Sequence, residues 1–287
     1  MNFVNTVYKL SENFMEDPQF VSVDYEQIER IAEEMLETKP EPFPIPDVGN
    51  IYQAALMELV AASVNYCYWY GKSTVRQLGS NSTKMYELLM IAFEGYKSPD
   101  DFEDCVKQFI ILLSQHRFPL LEERNRHLEE LLKEDTPKFI FNLVNNAKSN
   151  LITINHAMKQ MISMYPGFAS DMFLKRLSLF FIQLNRRFGW FKDDIKNLHV
   201  PADYQVPKML EHFGCIQYDF NLRSAIENEE LITKGSTAEC EIRAATVLAI
   251  KRLCELTDWN VAEVDGYFFL KRHDATNPFH LTITTDY

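Results

Sequence analysis

Apolar residues recur every three or four positions over most of this chain, which is the periodicity of amphipathic helices. In the segment VDYEQIERIAEEML an apolar stripe with this spacing follows Asp24, a residue type that caps helix N-termini. The segment NIYQAALMELVAASVNYCYWYG is apolar on nearly every face, so we predict one long buried helix that ends at Gly71.

The same pattern continues toward the C-terminus and predicts a mainly α fold. Ser236 stands three residues before Glu239, the spacing of a capping box, at the start of another helix. The final FHLTITTDY is compatible with a short strand or with an extended tail packed on the core. Glycine is scarce, with nine in 287 residues, and the prolines of 39–49 form the only evident linker. We therefore predict a single helical domain over 1–287, with further helices at 83–96, 99–115, 119–132, 137–164, 170–191 and 260–271.

Composition and charge narrow the class of protein. The chain is 46% hydrophobic and 24% charged, which is ordinary for a soluble globular protein. Its formal net charge of −12 argues against a dedicated binder of duplex nucleic acid, because such proteins present basic faces to the phosphates. The N-terminal sequence lacks the pattern of a signal peptide, and the five scattered cysteines are typical of reduced thiols, so a cytoplasmic location is predicted.

Several familiar chemistries have no sequence support. The seven histidines show no HExxH or HxE…CxxC spacing, so neither a metal site nor a metal cofactor is predicted. The chain has no GxxxxGK[ST] or GxGxxG phosphate cradle and no GxSxG nucleophile elbow. We therefore expect no bound cofactor.

An aromatic cluster, NYCYWYG, places Tyr66, Tyr68 and Trp69 close together. One interpretation is an aromatic layer within a helical core. The other is a wall on which a flat ligand such as a nucleobase stacks. The sequence alone leaves both interpretations open.

Three cations are candidates for contacts with anions. Lys175 and Arg176 begin a very apolar helix, where they either extend to solvent or meet a phosphate or carboxylate. Arg243 has Glu239 and Glu241 nearby in sequence, and this spacing favours a structural ion pair.

The stretch HVPADYQVPKMLEHFG contains the leading catalytic candidate. Proline is best tolerated in the first turn of a helix, so we place the helix start near Pro207. Asp203 would then precede the helix by four residues, too far to cap it, in a loop stiffened by Pro201. Such a loop can hold a catalytic carboxylate in a fixed orientation, although an exposed loop aspartate is the common alternative.

Several segments together resemble the queuosine salvage proteins. They include ADYQVPKMLEHFG, CIQYDFNLRSAI, GSTAECEIRAATVLAIKRL and the terminal PFHLTI, preceded in order by VSVDYEQIERIAEEM, NYCYWY, FPLLEERNRHLEELL and FLKRL. The resemblance covers nearly the whole chain. It implies a mainly helical fold similar to the helical DNA glycosylases. It also implies metal-independent hydrolysis of the N-glycosidic bond between a 7-deazaguanine base and ribose 5-phosphate, with queuosine 5′-phosphate as the expected substrate.

The resemblance also implies roles for individual residues. Asp203 would stabilise the oxocarbenium-like transition state and help to activate water. Asp265 matches an acidic position that contacts the base, and a carboxylate suits the N1–H and amino edge of a guanine-like ring. The chain departs from the family pattern at Pro201, Asn185 and Leu270, on the side that reads the base. The other substrate-binding candidates are Lys175, Arg176, Arg243, Tyr204, Trp69, Tyr68, Pro201 and Tyr267.

Two other functions stay open at this level. One is a glycosylase that acts on a base within DNA or RNA after base flipping, against which the acidity of the chain argues. The other is a non-catalytic helical ligand-binding or scaffold protein. The expected partner is a small-molecule nucleotide and not a membrane, and the sequence does not indicate an oligomeric state.

Overall fold

A computed structural model describes residues 2–43, 48, 50–69 and 81–287. Helices dominate this part of the chain, which confirms the prediction of a mainly α fold. No helix among these residues is both long and apolar enough to cross a membrane. The α-helices are α1 Phe3–Phe14, α2 Tyr25–Leu36, α3 Ile51–Val64, α4 Ser82–Phe93, α5 Phe102–Gln115, α6 Leu121–Lys133, α7 Thr136–Lys148, α8 Ile154–Met164, α9 Lys175–Phe188, α10 Gln205–His212, α11 Phe220–Glu227, α12 Thr237–Thr257 and α13 Val261–Leu270.

Short elements complete the described structure. Three 3₁₀ turns lie at Pro99–Asp101, Pro166–Ser170 and Ile195–Asn197. Strands β1 (Val21–Val23) and β2 (Ile216–Tyr218) form an antiparallel pair. This pair was not predicted, because three residues are too few to show a strand periodicity.

The chain divides into two compact units, each of which is described by itself. The first unit takes its described residues from Met1–Ile45 and Met172–Thr285, together with Tyr287. The second takes them from Pro46–Asp171, together with Asp286. The prediction of a single domain over 1–287 stays a prediction.

Helix α12 is the centre of the first unit. It packs against α1, α2, α10, α13 and β1, and most of its residues are buried. Ser236 caps it as predicted, since its hydroxyl accepts a hydrogen bond from Glu239 N at 3.3 Å. The carboxylate of Glu239 accepts from Gly235 N at 3.0 Å, one residue before the position expected in a capping box.

Helix α3 is the centre of the second unit and packs against α4, α6 and α7. Eleven of its residues are buried, in keeping with its apolar sequence. The prediction that it continues to Gly71 is wrong for 65–69, because the helix ends at Val64. Residues 70 and 71 lie outside the described residues.

The predicted helix over 137–164 is wrong in its centre. Helix α7 ends at Lys148 and α8 begins at Ile154. Between them Asn150 adopts a left-handed backbone with φ +53°, a conformation that asparagine tolerates better than most residues. Thr153 then caps α8 by accepting from His156 N at 3.2 Å. The apolar periodicity of the sequence runs on through both helices, so it did not reveal the break that these local groups make.

The other predicted helices agree with the structure within a few residues. Asp24 caps α2 by accepting from Gln27 N at 2.9 Å, as the sequence predicts.

The C-terminal FHLTITTDY is an extended tail, not a strand. Within the described residues it forms an isolated β-bridge between Leu231 and Leu281. Within the tail the buried His280 Nε2 lies 3.1 Å from the hydroxyl of Tyr287.

Candidate active site

Asp203 is held by the first turn of α10. This helix begins at Gln205, so the prediction of a start near Pro207 is wrong. Oδ1 of Asp203 accepts hydrogen bonds from Gln205 N at 2.7 Å and Val206 N at 3.2 Å. Asp203 lies one position before the N-cap residue, Tyr204, yet its carboxylate supplies hydrogen bonds that cap the first turn, so the predicted separation of four residues from the helix is wrong. Pro207 occupies the third helical position, where a backbone N–H has no intrahelical partner to lose.

The second oxygen of Asp203 is in a different situation. Within the described part of the chain, Oδ2 accepts no hydrogen bond, whereas Oδ1 accepts two. The residue is partly exposed, although its neighbours Pro201, Ala202 and Val206 are buried. One oxygen thus fixes the orientation of the carboxylate and the other is available to a ligand.

Burial and nearby charges together shift the pKa of Asp203. Desolvation by the surrounding protein is the largest influence and raises its pKa above the usual range. The ammonium of Lys175 and the amides of Gln205 and Val206 oppose this shift, and the charge of Asp265 adds to it. The structure therefore brings together three predicted site residues, Asp203, Lys175 and Asp265. A carboxylate with a raised pKa is a better base than an ordinary one.

Lys175 and Arg176 occupy the first two positions of α9. Each is only 2% exposed, so they do not extend to solvent as snorkelling cations do. Leu174 precedes them with φ +50°, a left-handed conformation that is strained for a leucine. The N-terminus of a helix carries partial positive charge, which disfavours cations there unless anions balance them. This end of α9 is consequently suited to an anion.

Arg243 lies on α12 and is buried against the loop that carries Asp203. Its Nε donates to Ala202 O at 3.0 Å, and its Nη1 lies 3.5 Å from Glu239 Oε1, which confirms the predicted ion pair with Glu239. Its guanidinium lies over the rings of Phe173 and Tyr287, at 4.5 and 4.4 Å from their centroids. Arg243 therefore supports the backbone next to Asp203, and its predicted contact with substrate stays a prediction.

Glu241 does not pair with Arg243, so that part of the sequence interpretation is wrong. Its Oε1 accepts from Gln19 N at 2.9 Å, while Oε2 accepts from Phe20 N at 2.7 Å and from Val21 N at 3.1 Å. These amides lead into β1. Glu241 is 1% exposed, so it ties the N-terminal segment to α12 from the inside.

Asp265 lies on α13 and is paired with an arginine that the sequence analysis missed. Arg186 Nη2 donates to Asp265 Oδ2 at 2.7 Å and to Ala262 O at 2.8 Å. Arg186 follows Lys175 by eleven residues, which is three turns of α9 and places both on one face. The spacing from Lys175 could have indicated that Arg186 lies on the same face of the helix. The pairing with Asp265 was not predictable, because the two residues are far apart in sequence.

Two further candidates flank Asp203. The ring of Tyr204 packs on Phe279 with centroids 4.6 Å apart, and Tyr204 is partly exposed. Pro201 is buried. Both are therefore beside the carboxylate, while their contact with a substrate stays a prediction.

Tyr267 follows Asp265 by two positions on α13, a rotation of about 200° around the helix axis. Its ring meets Trp259 edge-on at 6.2 Å, and the ammonium of Lys271 lies 4.6 Å from its centroid. The helix thus directs Tyr267 and Asp265 to different faces, and the structure does not bring them together.

The aromatic candidates lie in the second unit. Tyr66, Tyr68 and Trp69 are all buried. The guanidinium of Arg124 lies over Tyr66 at 4.5 Å and over Tyr68 at 5.2 Å. These contacts support the interpretation as an aromatic core layer, and a role of Tyr68 and Trp69 in binding substrate stays a prediction.

Arg124 explains why the chain leaves the helix after Val64. Its guanidinium donates to Pro119 O at 2.7 Å, to Tyr66 O at 2.5 Å and to Cys67 O at 2.9 Å, and it also binds Val64 O. Carbonyls bound by a side chain need no helical N–H partner. Cys67 has φ +34°, a sparsely populated conformation for a residue with a side chain.

The described residues include no group of three His, Cys, Asp or Glu side chains placed to hold a metal ion. The chemistry available at Asp203 is instead that of a fixed carboxylate with cations nearby. Such a site can stabilise a developing positive charge and can orient water.

Comparison with known proteins identifies similar chains. Residues 53–266 match the family model described as queuosine salvage protein. A protein of Dictyostelium discoideum named queuosine 5′-phosphate N-glycosylase/hydrolase is 35% identical over 131 residues, which cover 40% of each chain. A mouse protein with the same name is 25% identical over 157 residues, 49% of this chain and 46% of the mouse chain. A Sphaerobacter thermophilus protein with this name is 41% identical over 61 residues, 21% of this chain and 19% of its own.

The aligned segments are partial in each case. The chain spans less than half the length of the relatives that it matches. The family model is broader, because it extends from α3 into α13 and includes Lys175, Asp203, Arg243 and Asp265.

Proposed function

The chain belongs to the queuosine salvage protein family, and from this premise we propose that it hydrolyses queuosine 5′-phosphate to queuine and ribose 5-phosphate. The relatives carry the name of this activity. The single observation that carries the proposal is the carboxylate of Asp203, with Oδ1 fixed by two amides and Oδ2 open to a ligand.

The reaction requires a group of this kind. As the bond between ribose C1′ and the base nitrogen breaks, its electron pair leaves with the base and positive charge develops on the ribose. Oδ2 of Asp203 stabilises that charge and accepts a proton from the water that attacks C1′. The hydroxyl stays on C1′, and the proton that the water loses is passed on to the departing base, which restores the Asp203 carboxylate. Because Oδ1 is already fixed, the carboxylate pays little orientational cost when substrate binds.

The two ends of the substrate meet different charges. The 5′-phosphate pairs with Lys175 and Arg176 at the positive end of α9, because a helix N-terminus favours anions. The base places its N1–H and 2-amino group on Asp265, which offers only acceptor atoms when ionised. Arg243 donates a hydrogen bond to the Ala202 carbonyl and thereby fixes the backbone that precedes Asp203.

The proposed substrate is a free nucleotide in the cytoplasm. With a net charge of −12, the chain is poorly suited to bind the phosphates of a polymer. A mononucleotide needs only the local cations at α9. The released base would then be available for reuse in tRNA modification.

The test is incubation of the purified chain with queuosine, queuosine 5′-phosphate and the ordinary purine 5′-monophosphates, with free base measured by chromatography. We expect release of queuine from the 5′-phosphate and none from the ordinary nucleotides. Asp203→Asn should abolish release, whereas Asp193→Asn, at an exposed position of the same unit, should not change it. Equal rates for Asp203→Asn and the unaltered chain would contradict the proposed role.

A further inference from the structure

The buried Nε of Arg186 is a hydrogen-bond donor that no acceptor among the described residues uses. Its side chain is 6% exposed and forms a buried ion pair with Asp265. Nη2 donates to Asp265 Oδ2 and Ala262 O, and Nη1 lies 3.4 Å from Gln183 Oε1. Across the described residues, the buried Nε finds no acceptor. A buried donor without a partner is costly, and it is retained where a ligand completes it.

The surroundings hold this guanidinium in one orientation. Its central carbon lies 4.0 Å from the centroid of Phe43, whose ring packs on Phe269 at 5.0 Å. Gly266 of α13 lies close to both groups, because a Cβ atom there would stand 3.4 Å from Nη2 of Arg186 and 3.9 Å from Cδ2 of Phe43. The guanidinium thus packs on an aromatic ring next to a helix position that lacks a side chain.

The planarity of arginine fixes where the unused donor points. Nε–H and one Nη2–H lie on the same edge of the guanidinium and point in parallel directions. Nη2 donates one hydrogen to Asp265 Oδ2 and one to Ala262 O, so Nε–H runs parallel to one of these two bonds. Because Nε and Nη2 are joined through a single carbon, Asp265 and Arg186 offer an acceptor and an unused donor close together.

We propose that Arg186 is a specificity-determining residue that selects bases with an oxo group at position 6, next to the N1–H that binds Asp265. This inference rests on the proposed function, in which Asp265 receives the base. The 6-oxo oxygen accepts from Nε–H while N1–H and the 2-amino group donate to the carboxylate. A 6-amino group at the same place directs its own N–H at Nε–H, and a base of this kind carries no hydrogen on N1, so it loses a contact with Arg186 and another with Asp265.

The test compares two ligands that differ at one group. These are 7-deazaguanosine 5′-monophosphate and 7-deaza-6-thioguanosine 5′-monophosphate, in which a sulfur atom, a much weaker hydrogen-bond acceptor, replaces the 6-oxo oxygen while N1–H and the 2-amino group are kept. Dissociation constants are measured by calorimetry with Asp203→Asn protein, so that no turnover occurs. We expect the oxo ligand to bind about 10- to 100-fold more tightly, the range for one hydrogen bond to a charged group.

Substitutions of Arg186 in the same background should remove this preference. In Arg186→Met the ratio of dissociation constants should fall to about one, because no donor then faces the 6-substituent. Arg186→Lys keeps the charge but loses the planar pair of donors, so its ratio should fall less. It also serves as the second variant if Arg186→Met does not fold. Arg187→Lys, at the next position of α9, is the matched control and should keep the full ratio.

The outcomes separate this inference from the proposed function. A preference that is unchanged in both Arg186 variants overturns the inference, as does equal binding of the two ligands, or no binding, by Arg186-containing protein. If the oxo ligand is preferred and the preference is lost with Arg186, the inference is supported. In that case a failure of the Asp203-containing chain to release base refutes the hydrolysis proposal alone.

Discussion

Two carboxylates of the first unit, Asp203 and Glu241, show how different hydrogen bonding gives the same chemical group different uses. Glu241 is buried, and both of its oxygens accept from backbone amides. Asp203 is partly exposed, and only Oδ1 accepts from amides. A carboxylate that is fully satisfied by the backbone stabilises the fold, whereas one that is half satisfied keeps its orientation and retains capacity for a ligand.

The largest expected effect is on the activity of Asp203→Asn. The amide oxygen can still accept from Gln205 and Val206, so the cap persists while the negative charge is lost. We expect kcat for base release to fall on the order of 10³-fold, the scale for loss of a group that stabilises transition-state charge. Release of queuine from queuosine 5′-phosphate, measured by chromatography, checks this. A fall of less than tenfold in folded protein would remove the contrast with Glu241.

The converse substitution, Glu241→Gln, should affect stability and not chemistry. An amide nitrogen would replace an oxygen that accepts a backbone N–H, leaving that N–H opposite another donor. We expect a loss of about 2 kcal/mol in the free energy of unfolding, measured by urea denaturation. The kcat of the folded protein should stay unchanged. Glu227→Gln, at an exposed position, is the control, and equal stabilities of the two variants would contradict the assignment.

The effect of Lys175 on Asp203 can be measured through the pH dependence of activity. Asp203 must be ionised to act, so kcat/KM falls as pH is lowered through its raised pKa. The Lys175 ammonium lowers that pKa, so Lys175→Met should raise it and move the acid limb of the profile toward higher pH. Lys196→Met, at an exposed site, should leave the limb in place. A shift toward lower pH would have the wrong sign.

The smallest expected effect is on the pH dependence of stability. The pKa of Asp203 is higher in the folded protein than the usual value of about 3.9 in an unfolded chain. Ionisation therefore costs the folded state stability as pH rises above about 4. Asp203→Asn avoids this cost, so its stability relative to the unaltered chain should increase from pH 4 toward pH 7. The melting temperatures of the two proteins, measured from pH 4 to pH 7, test this expectation. A variant that becomes less stable relative to the unaltered chain as pH rises would contradict it.

The sequence predicted the helices best where local signals and burial agree. The caps at Asp24 and Ser236 and the apolar periodicity around them correspond to α2 and α12. The errors lie where a side chain distant in sequence competes with helical hydrogen bonding. Arg124 binds carbonyls at Val64, Tyr66 and Cys67, about 60 positions earlier, and no local pattern could reveal that α3 ends there.

The candidate site was predictable in its charged residues and not in their partners. The sequence singled out Asp203, Lys175 and Asp265, and the structure places their charges near one another. It did not reveal Arg186, because the salt bridge with Asp265 joins residues 79 positions apart. The predicted separation of four residues between Asp203 and the helix was wrong because proline is tolerated throughout the first turn, so Pro207 did not fix the first helical residue.

The contacts of Arg124 have a consequence for how the aromatic segment responds to its environment. All the hydrogen-bond acceptors of this buried guanidinium in the described structure are backbone carbonyls, and aromatic rings lie against its faces. Backbone carbonyls do not titrate, and added salt screens buried contacts little. The hydrogen bonds from Arg124 to the carbonyls of residues 64–67 should thus persist through changes of ionic strength, and protonation of Asp203 does not alter these acceptors.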